Sequence, residues 1–274
     1  MNSIKLKSEA ELELMRESGR LLADVFMQLN DWVQPGVTSM ALNDRVEAYI
    51  VEVLKARPAS KGQYDYPYVL NASINEEVCH GMPDHRRLKS GQIINLDITL
   101  EKNGFIADSS KMYLVGEVSP QARRLVKTTY EALWTGIRMV RPGARLGDVG
   151  HAIQQYAQAA GYSVVREYCG HGIGREMHEA PQVLHFGIPG TGVVLEPGMT
   201  FTIEPMLNQG SHKVRTLSDD WTVVTRDGQL SAQWEHTLAV TESGVEVLTL
   251  RPEETHLLAS SSSRSLMSQA LTKA

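Results

Sequence analysis

Apolar side chains recur at helical spacing in the first stretch of the chain. Leu12, Met15, Leu22, Phe26 and Leu29 fall on one face of a helix. Ser8 and Glu11 have the pattern of a capping box at its start, and Pro35-Gly36 stops it. A second helix is predicted from Thr38 or Ser39 to just before Pro58, with Leu42, Val46, Ile50 and Val53 on its apolar face. From Gln92 to Leu100 the period changes to two. Ile94, Leu96, Ile98 and Leu100 face one way, and Asn95, Asp97 and Thr99 the other. Asn103-Gly104 is the signal of a type I′ hairpin turn. A two-residue loop there sets Lys102 opposite Phe105 and Thr99 opposite Asp108. Asp97 and Asp108 then share a face, one diagonal step or about 7–8 Å apart at Cα.

The pattern comes back later in the chain. Val33-Gln34-Pro35-Gly36 recurs 107 residues on as Val140-Arg141-Pro142-Gly143, and Leu88-Lys89-Ser90-Gly91 recurs at the same offset as Leu195-Glu196-Pro197-Gly198. Six residues past the second glycine of each copy stands an acid, Asp97 in one and Glu204 in the other. A shared offset predicts two structurally similar halves, about 8–115 and 116–250, whose equivalent acids meet near a pseudo-twofold axis. In the second half Thr200, Thr202 and Glu204 alternate with apolar neighbours. Asp227-Gly228 separates two strand-like runs, and Glu235, Thr237 and Ala239 share one face of the second. Residues 251–274, with the serine run 260–263, read as a flexible tail beyond a single domain of residues 1–250.

Composition narrows the function classes. The chain has 274 residues, 42% hydrophobic and 22% charged, with a net charge of −5, which gives no footprint for nucleic acid. The N-terminus lacks the apolar run of a secretory signal, and no stretch reaches the ~18 apolar residues of a membrane span. Two cysteines, Cys79 and Cys169, make no disulfide framework, so a reducing, cytoplasmic setting is expected.

Asp97, Asp108, His171, Glu204 and Glu235 each lie in a strand-like or Gly-rich segment. Four carboxylates gathered in a fold repel one another unless cations neutralise them. Two divalent ions would do so and could activate water. Each acid taken alone could be an ordinary surface residue, and the glycines around His171 could belong to a phosphate loop. They lack, however, the Lys-Ser/Thr ending and the GxGxxG spacing. Oxygen ligands with one imidazole suit Mn²⁺, Fe²⁺, Mg²⁺ or Co²⁺ and disfavour a structural zinc site. His80 and His178 sit in loops beside the proposed site, where an imidazole can donate to a developing oxyanion. His85, His151, His185, His212, His236 and His256 read as surface or satisfied core residues.

The segments Val78-Cys-His-Gly-Met-Pro-Asp84, Gln92-Ile-Ile-Asn-Leu-Asp97, Asp108-Ser-Ser-Lys-Met112, Tyr168-Cys-Gly-His-Gly-Ile-Gly174, Pro197-Gly-Met-Thr-Phe-Thr-Ile-Glu-Pro-Met206 and Ser231-Ala-Gln-Trp-Glu-His-Thr237 closely resemble type I methionine aminopeptidases, from about Ser8 to Leu250. The resemblance implies an α+β pita-bread fold, two pseudo-symmetric halves around a curved antiparallel sheet. It implies removal of the initiator methionine from nascent chains when the second residue is small, with a hydroxide bridging the metals as nucleophile. It assigns two divalent ions (Co²⁺, Mn²⁺, Fe²⁺ or Zn²⁺) to Asp97, Asp108, His171, Glu204 and Glu235. Glu204 would assist proton transfer, His178 would contact the scissile amide oxygen, and His80 the substrate main chain. Tyr66, Asn71, Met177 and Trp221, with His80 and His178, are expected to bind substrate. A monomer with possible ribosome contact, and no membrane or nucleic-acid site, completes the expectation. Two other readings stay open: a pita-bread hydrolase that cuts X-Pro bonds, and a binding module without catalysis.

The chain departs from the family pattern in one region. Gly62-Gln63-Tyr64-Asp65-Tyr66-Pro67 replaces the usual Gly-Tyr-x-Gly-Tyr-Pro, and Ser60 and Asn71 stand where cysteines are common. Met177 takes the place of an aromatic, and Ile106-Ala107 that of a His-Gly before Asp108. In relatives these positions line or border the methionine pocket.

Overall fold

A computed structural model describes residues 3–257. The first helix runs Glu9–Trp32. Ser8 accepts from the Glu11 N–H while the Glu11 side chain reaches back to the cap, the full reciprocal box. The second helix, Ser39–Ala48, is capped by the Thr38 hydroxyl, 3.0 Å from the Ala41 N–H. It then widens into a π-helical turn at Tyr49–Val53. The extra residue in that turn rotates the register. Ile50 therefore stays buried, while Val53, expected on the same apolar face, is 61% exposed.

Strands Ile93–Lys102 and Phe105–Leu114 form the expected hairpin, with Lys102 paired to Phe105 and Thr99 to Asp108. Asn103 and Gly104 both have positive φ, 53° and 79°, as a type I′ turn requires. Ile94, Leu96, Ile98 and Leu100 are fully buried against Leu22, Phe26 and Leu29 of the first helix and Leu42, Val46 and Ile50 of the second segment. Each such side chain contributes about 1.5–3 kcal/mol on burial. The alternation leaves the carboxylate-bearing face of the hairpin pointing away from this core.

The second half repeats the order. Helix Pro120–Ile137 is capped by Ser119, Pro142-Gly143 follows, and helix Leu146–Ala159 comes next. Strands Thr200–Ile203 and His236–Thr241 then pair antiparallel, Thr237 opposite Thr202. Their apolar face packs Phe201, Ile203 and Leu238 against Leu133, Ile137 and Ile153 of these helices. The hydrogen-bonded ladders divide the strands into four antiparallel sheets. A single bridge, Ser110 to Glu235, links the hairpin of the first half to the strand pair of the second. Side chains reinforce that seam. The Asp108 N–H donates to the Thr237 hydroxyl (3.0 Å), which donates to the Asp108 carbonyl (2.7 Å). The Ser109 hydroxyl donates to the Glu235 carbonyl (2.6 Å).

Asp227-Gly228 does not join a hairpin. The strand before it, Val223–Thr225, pairs with Val214–Thr216 and Glu77–Cys79, whereas the strand after it, Ser231–Gln233, pairs with Met206–Asn208.

The boundary drawn at residue 250 needs correction. Arg251 is 1% exposed and belongs to the fold. Its guanidinium donates to the Ser109 hydroxyl (3.1 Å) and the Ser110 carbonyl (3.4 Å), lies 3.1 Å from His236 Nε2, and pairs with buried Glu254 at 2.9 Å. A charge this deep is tolerated because it is paired and hydrogen-bonded. The rest of the expected tail, 258–274, lies outside the described residues. Among those residues no helix is long and apolar enough to cross a membrane.

Candidate functional site

The seam between the halves is where the acids gather. Asp97 and Asp108 come from the two strands of the hairpin, on the face opposite its core. Glu204 directly follows strand Thr200–Ile203, and Glu235 directly precedes strand His236–Thr241. His171 stands in the short strand Gly170–Gly172, which pairs with Thr200–Ile203. All five line one cavity of ≈ 570 Å³. Asp108, His171 and Glu235 each offer a ligand atom within 4.8 Å of the others. His171 Nε2 lies 3.8 Å from Asp108 Oδ2 and 3.6 Å from Glu204 Oε1.

Backbone geometry explains the glycines beside His171. A Cβ on Gly170 would run into the Thr202 carbonyl, and one on Gly172 into the Ala180 carbonyl. Only glycine lets this strand pass between its neighbours so closely. His171 Nδ1 sits 3.1 Å from the Gly172 carbonyl, so that nitrogen carries the proton and Nε2 presents a lone pair to the carboxylates.

The acids are individually supported. Thr99 donates to Asp108 Oδ1 (3.0 Å), Thr202 to Glu204 Oε1 (2.9 Å), and Gln233 to Glu204 Oε2 (3.4 Å). The Glu204 N–H donates to His185 Nε2 at 3.0 Å. Asn71 donates to Asp97 Oδ2 at 3.4 Å. Even so, burial pushes all four carboxyls up. Asp97 rises to about 6 and Glu204 to about 8, and Asp108 and Glu235 rise well above the usual range, with repulsion from neighbouring acids adding to the latter three. Burial also pushes His171 down to about 3, so its imidazole is neutral and free to ligate.

The same cavity is also lined by Ser60, Gln63, Tyr64, Tyr66, Asn71, Met177 and Trp221, and by His80 and His178. The Tyr66 and Trp221 rings pack at 4.8 Å, and the Tyr66 hydroxyl donates to the Leu70 carbonyl. His80 has φ +56°, uncommon for a side-chain-bearing residue, and its ring meets the edge of Tyr168. His178 packs on His171 at 4.4 Å. Burial lowers both of these histidines, His80 to about 4, so each is a neutral imidazole.

Every residue anticipated at the site lines this one cavity. Ile106 and Ala107 do not; they are buried in the cores behind the hairpin. Thr99 and Thr202 support the acids from the strand faces on which the alternation sets them, whereas Gln233 and His185 as supports, and Tyr64 and Tyr168 in the wall, were not anticipated, because they reach the site through pairings distant in the chain.

Comparison with known proteins agrees with this geometry. The profile of Metallopeptidase family M24 matches residues 13–242. A methionine aminopeptidase of Salmonella typhimurium is 51% identical over 254 residues, 92% of this chain and 96% of that protein. The crystal structure of methionine aminopeptidase from Rickettsia prowazekii superposes with a TM-score of 0.89 at 46% identity, covering 90% of this chain and 100% of that one. A Xaa-Pro dipeptidase from Bacillus anthracis shares the fold at a TM-score of 0.72 and 23% identity, with this chain covering 62% of it. The pita-bread arrangement that the resemblance implied is thus the fold of this protein. The chain belongs to metallopeptidase family M24 and, within it, to the methionine aminopeptidases.

Proposed function

We propose that the protein removes the initiator methionine from peptides whose second residue is small, using two divalent ions held by Asp97, Asp108, His171, Glu204 and Glu235. One observation carries this reading. Four carboxyls, Asp108 and Glu235 buried and Asp97 and Glu204 partly so, face a single cavity with a neutral imidazole, and desolvation holds every carboxyl above its ordinary range. Four anions with one soft nitrogen form a donor set that two divalent ions would neutralise, which suits Mn²⁺, Fe²⁺ or Co²⁺. Such ions supply a lowered pKa for bound water and polarisation of a carbonyl.

The protein's own groups do the rest. Tyr66, Met177 and Trp221 form an apolar wall for an unbranched thioether side chain, and Met177 can repack around it. Glu204, tied to Thr202 and Gln233, is placed to take a proton from the attacking water and pass it to the leaving amine. His178 donates to the carbonyl oxygen as charge develops there, and His80 holds the peptide main chain. The positively charged α-amine of a peptide terminus is drawn to the acidic end of the cavity, which favours an exopeptidase. We place the activity in the cytoplasm, acting as a monomer on chains leaving the ribosome; two unpaired cysteines suit that reducing compartment.

The test is a peptide panel. Protein stripped with chelator and reloaded with Mn²⁺, Co²⁺ or Fe²⁺ should release methionine from Met-Gly-Met and leave X-Pro peptides intact. Cleavage confined to X-Pro peptides would move the substrate class, and no cleavage with any ion would reduce the site to a binding module.

A further inference from the structure

The loop from Ser60 to Tyr66 has three residues in the left-handed region: Gly62 at φ 86°, Tyr64 at 51° and Asp65 at 65°. The second and third carry side chains, for which that region is unfavourable, and such strain persists only where surrounding contacts impose it. Here the loop is tied to itself. The Gly62 N–H donates to the Tyr66 carbonyl (2.7 Å), and the Gln63 and Tyr66 N–H groups close shorter turns inside it. These bonds turn the Tyr64 ring out over the cavity. The residue is 67% exposed and belongs to none of the core clusters. What it does touch is His178. The two rings stack with an interplanar angle of 27° and centroids 5.8 Å apart, and the phenol oxygen lies 3.3 Å from His178 Nδ1. Among the described residues this is the one hydrogen bond of the His178 ring.

We infer that Tyr64 is the positioning residue of His178: its hydroxyl donates to Nδ1 and so fixes the tautomer whose proton is on Nε2. The inference rests on the functional reading above, in which His178 donates to a carbonyl oxygen. A neutral imidazole has one N–H. If Nδ1 kept the proton, it would donate to the phenol oxygen and Nε2 would be a bare acceptor, unable to serve an oxyanion. With the phenol donating, the proton is on the nitrogen left for substrate, and the stacked ring holds the imidazole plane. Neither contact could be read from the sequence, since 114 residues separate the partners.

Tyr64→Phe tests this directly. It keeps the stack and removes the hydroxyl, and because the ring is exposed the thermal midpoint should not move. Loss of an orienting partner of this kind lowers activity about tenfold. The expected result is a tenfold lower kcat for Met-Gly-Met with KM unchanged, an effect that disappears in a His178→Ala background. NMR of the imidazole nitrogens should show one His178 tautomer, protonated on Nε2, in the parent and a mixture in Tyr64→Phe. An unchanged kcat, a change confined to KM, a loss that persists without His178, or an unaltered tautomer would each overturn the inference. Failure of the parent protein to release methionine would instead refute the functional reading, while the tautomer measurement still decides the role of Tyr64.

Discussion

Glu204→Gln should stabilise the metal-free protein and destroy its response to metal. In the fold, burial and the charge of Asp97 hold the Glu204 carboxyl at about 8, from an ordinary 4.5. Below pH 4.5 it is protonated both folded and unfolded, and it costs nothing. Between 4.5 and 8 the folded state keeps the proton and the unfolded state releases it, so stability falls as pH rises. At 1.36 kcal/mol per tenfold, the gap amounts to about 3 kcal/mol at pH 7. The side chain is nearly inaccessible, so solvent screening takes little from this figure. Glutamine is neutral in both states and keeps an acceptor for the Thr202 hydroxyl. With chelator at pH 7, Glu204→Gln should therefore gain up to about 3 kcal/mol, a rise in Tm on the order of 10 °C for a domain of this size. The parent should lose stability steadily from pH 5 to pH 8. Adding Mn²⁺ should raise the parent's Tm far more than the variant's. Thermal unfolding across that pH series, with and without metal, is the assay. A flat parent profile together with no gain in the variant would refute the claim that burial of the acid cluster strains the metal-free fold.

Other perturbations probe separate parts of the site. Arg251→Met takes the guanidinium from buried Glu254 and leaves it only the Tyr130 hydroxyl and His236 as side-chain partners, which should cost about 3 kcal/mol in urea denaturation; an effect near zero would return residues 251–257 to the tail. Asp97→Ala should abolish turnover while the circular dichroism spectrum stays native, because the side chain packs no core; near-normal turnover of metal-loaded variant would remove it from the ligand set. Asn71→Cys deletes the amide that reaches Asp97 from the cavity wall, and it should shift KM more than kcat; a change confined to kcat would assign Asn71 to the chemical step.

Local and periodic features were legible in the sequence. The caps at Ser8 and Thr38, the Asn103-Gly104 turn, and hence the register that sets Asp97 diagonally from Asp108, all follow from residues within a few positions of one another. The offset of 107 residues predicted which acids would meet, because equivalent strands of the two halves pack across one seam. What stayed hidden depends on distant pairings or on small changes of helical register. A single π-helical turn at Tyr49–Val53 was enough to turn Val53 to solvent. His185 reaches the Glu204 backbone, and Tyr64 reaches His178, only through loops brought together by the fold. The polar composition after Leu250 concealed Arg251, whose partners Ser109, Ser110 and His236 lie elsewhere in the chain.

Counting the ions is the most direct test of the central claim. Calorimetric titration of Mn²⁺ into chelator-stripped protein, with methionine release followed in parallel, should show two equivalents bound by the parent and fewer by Asp97→Ala, with activity lost in step. No binding in the parent, or two equivalents that Asp97→Ala leaves unchanged, would show that the acids at the seam do not form the proposed two-ion site.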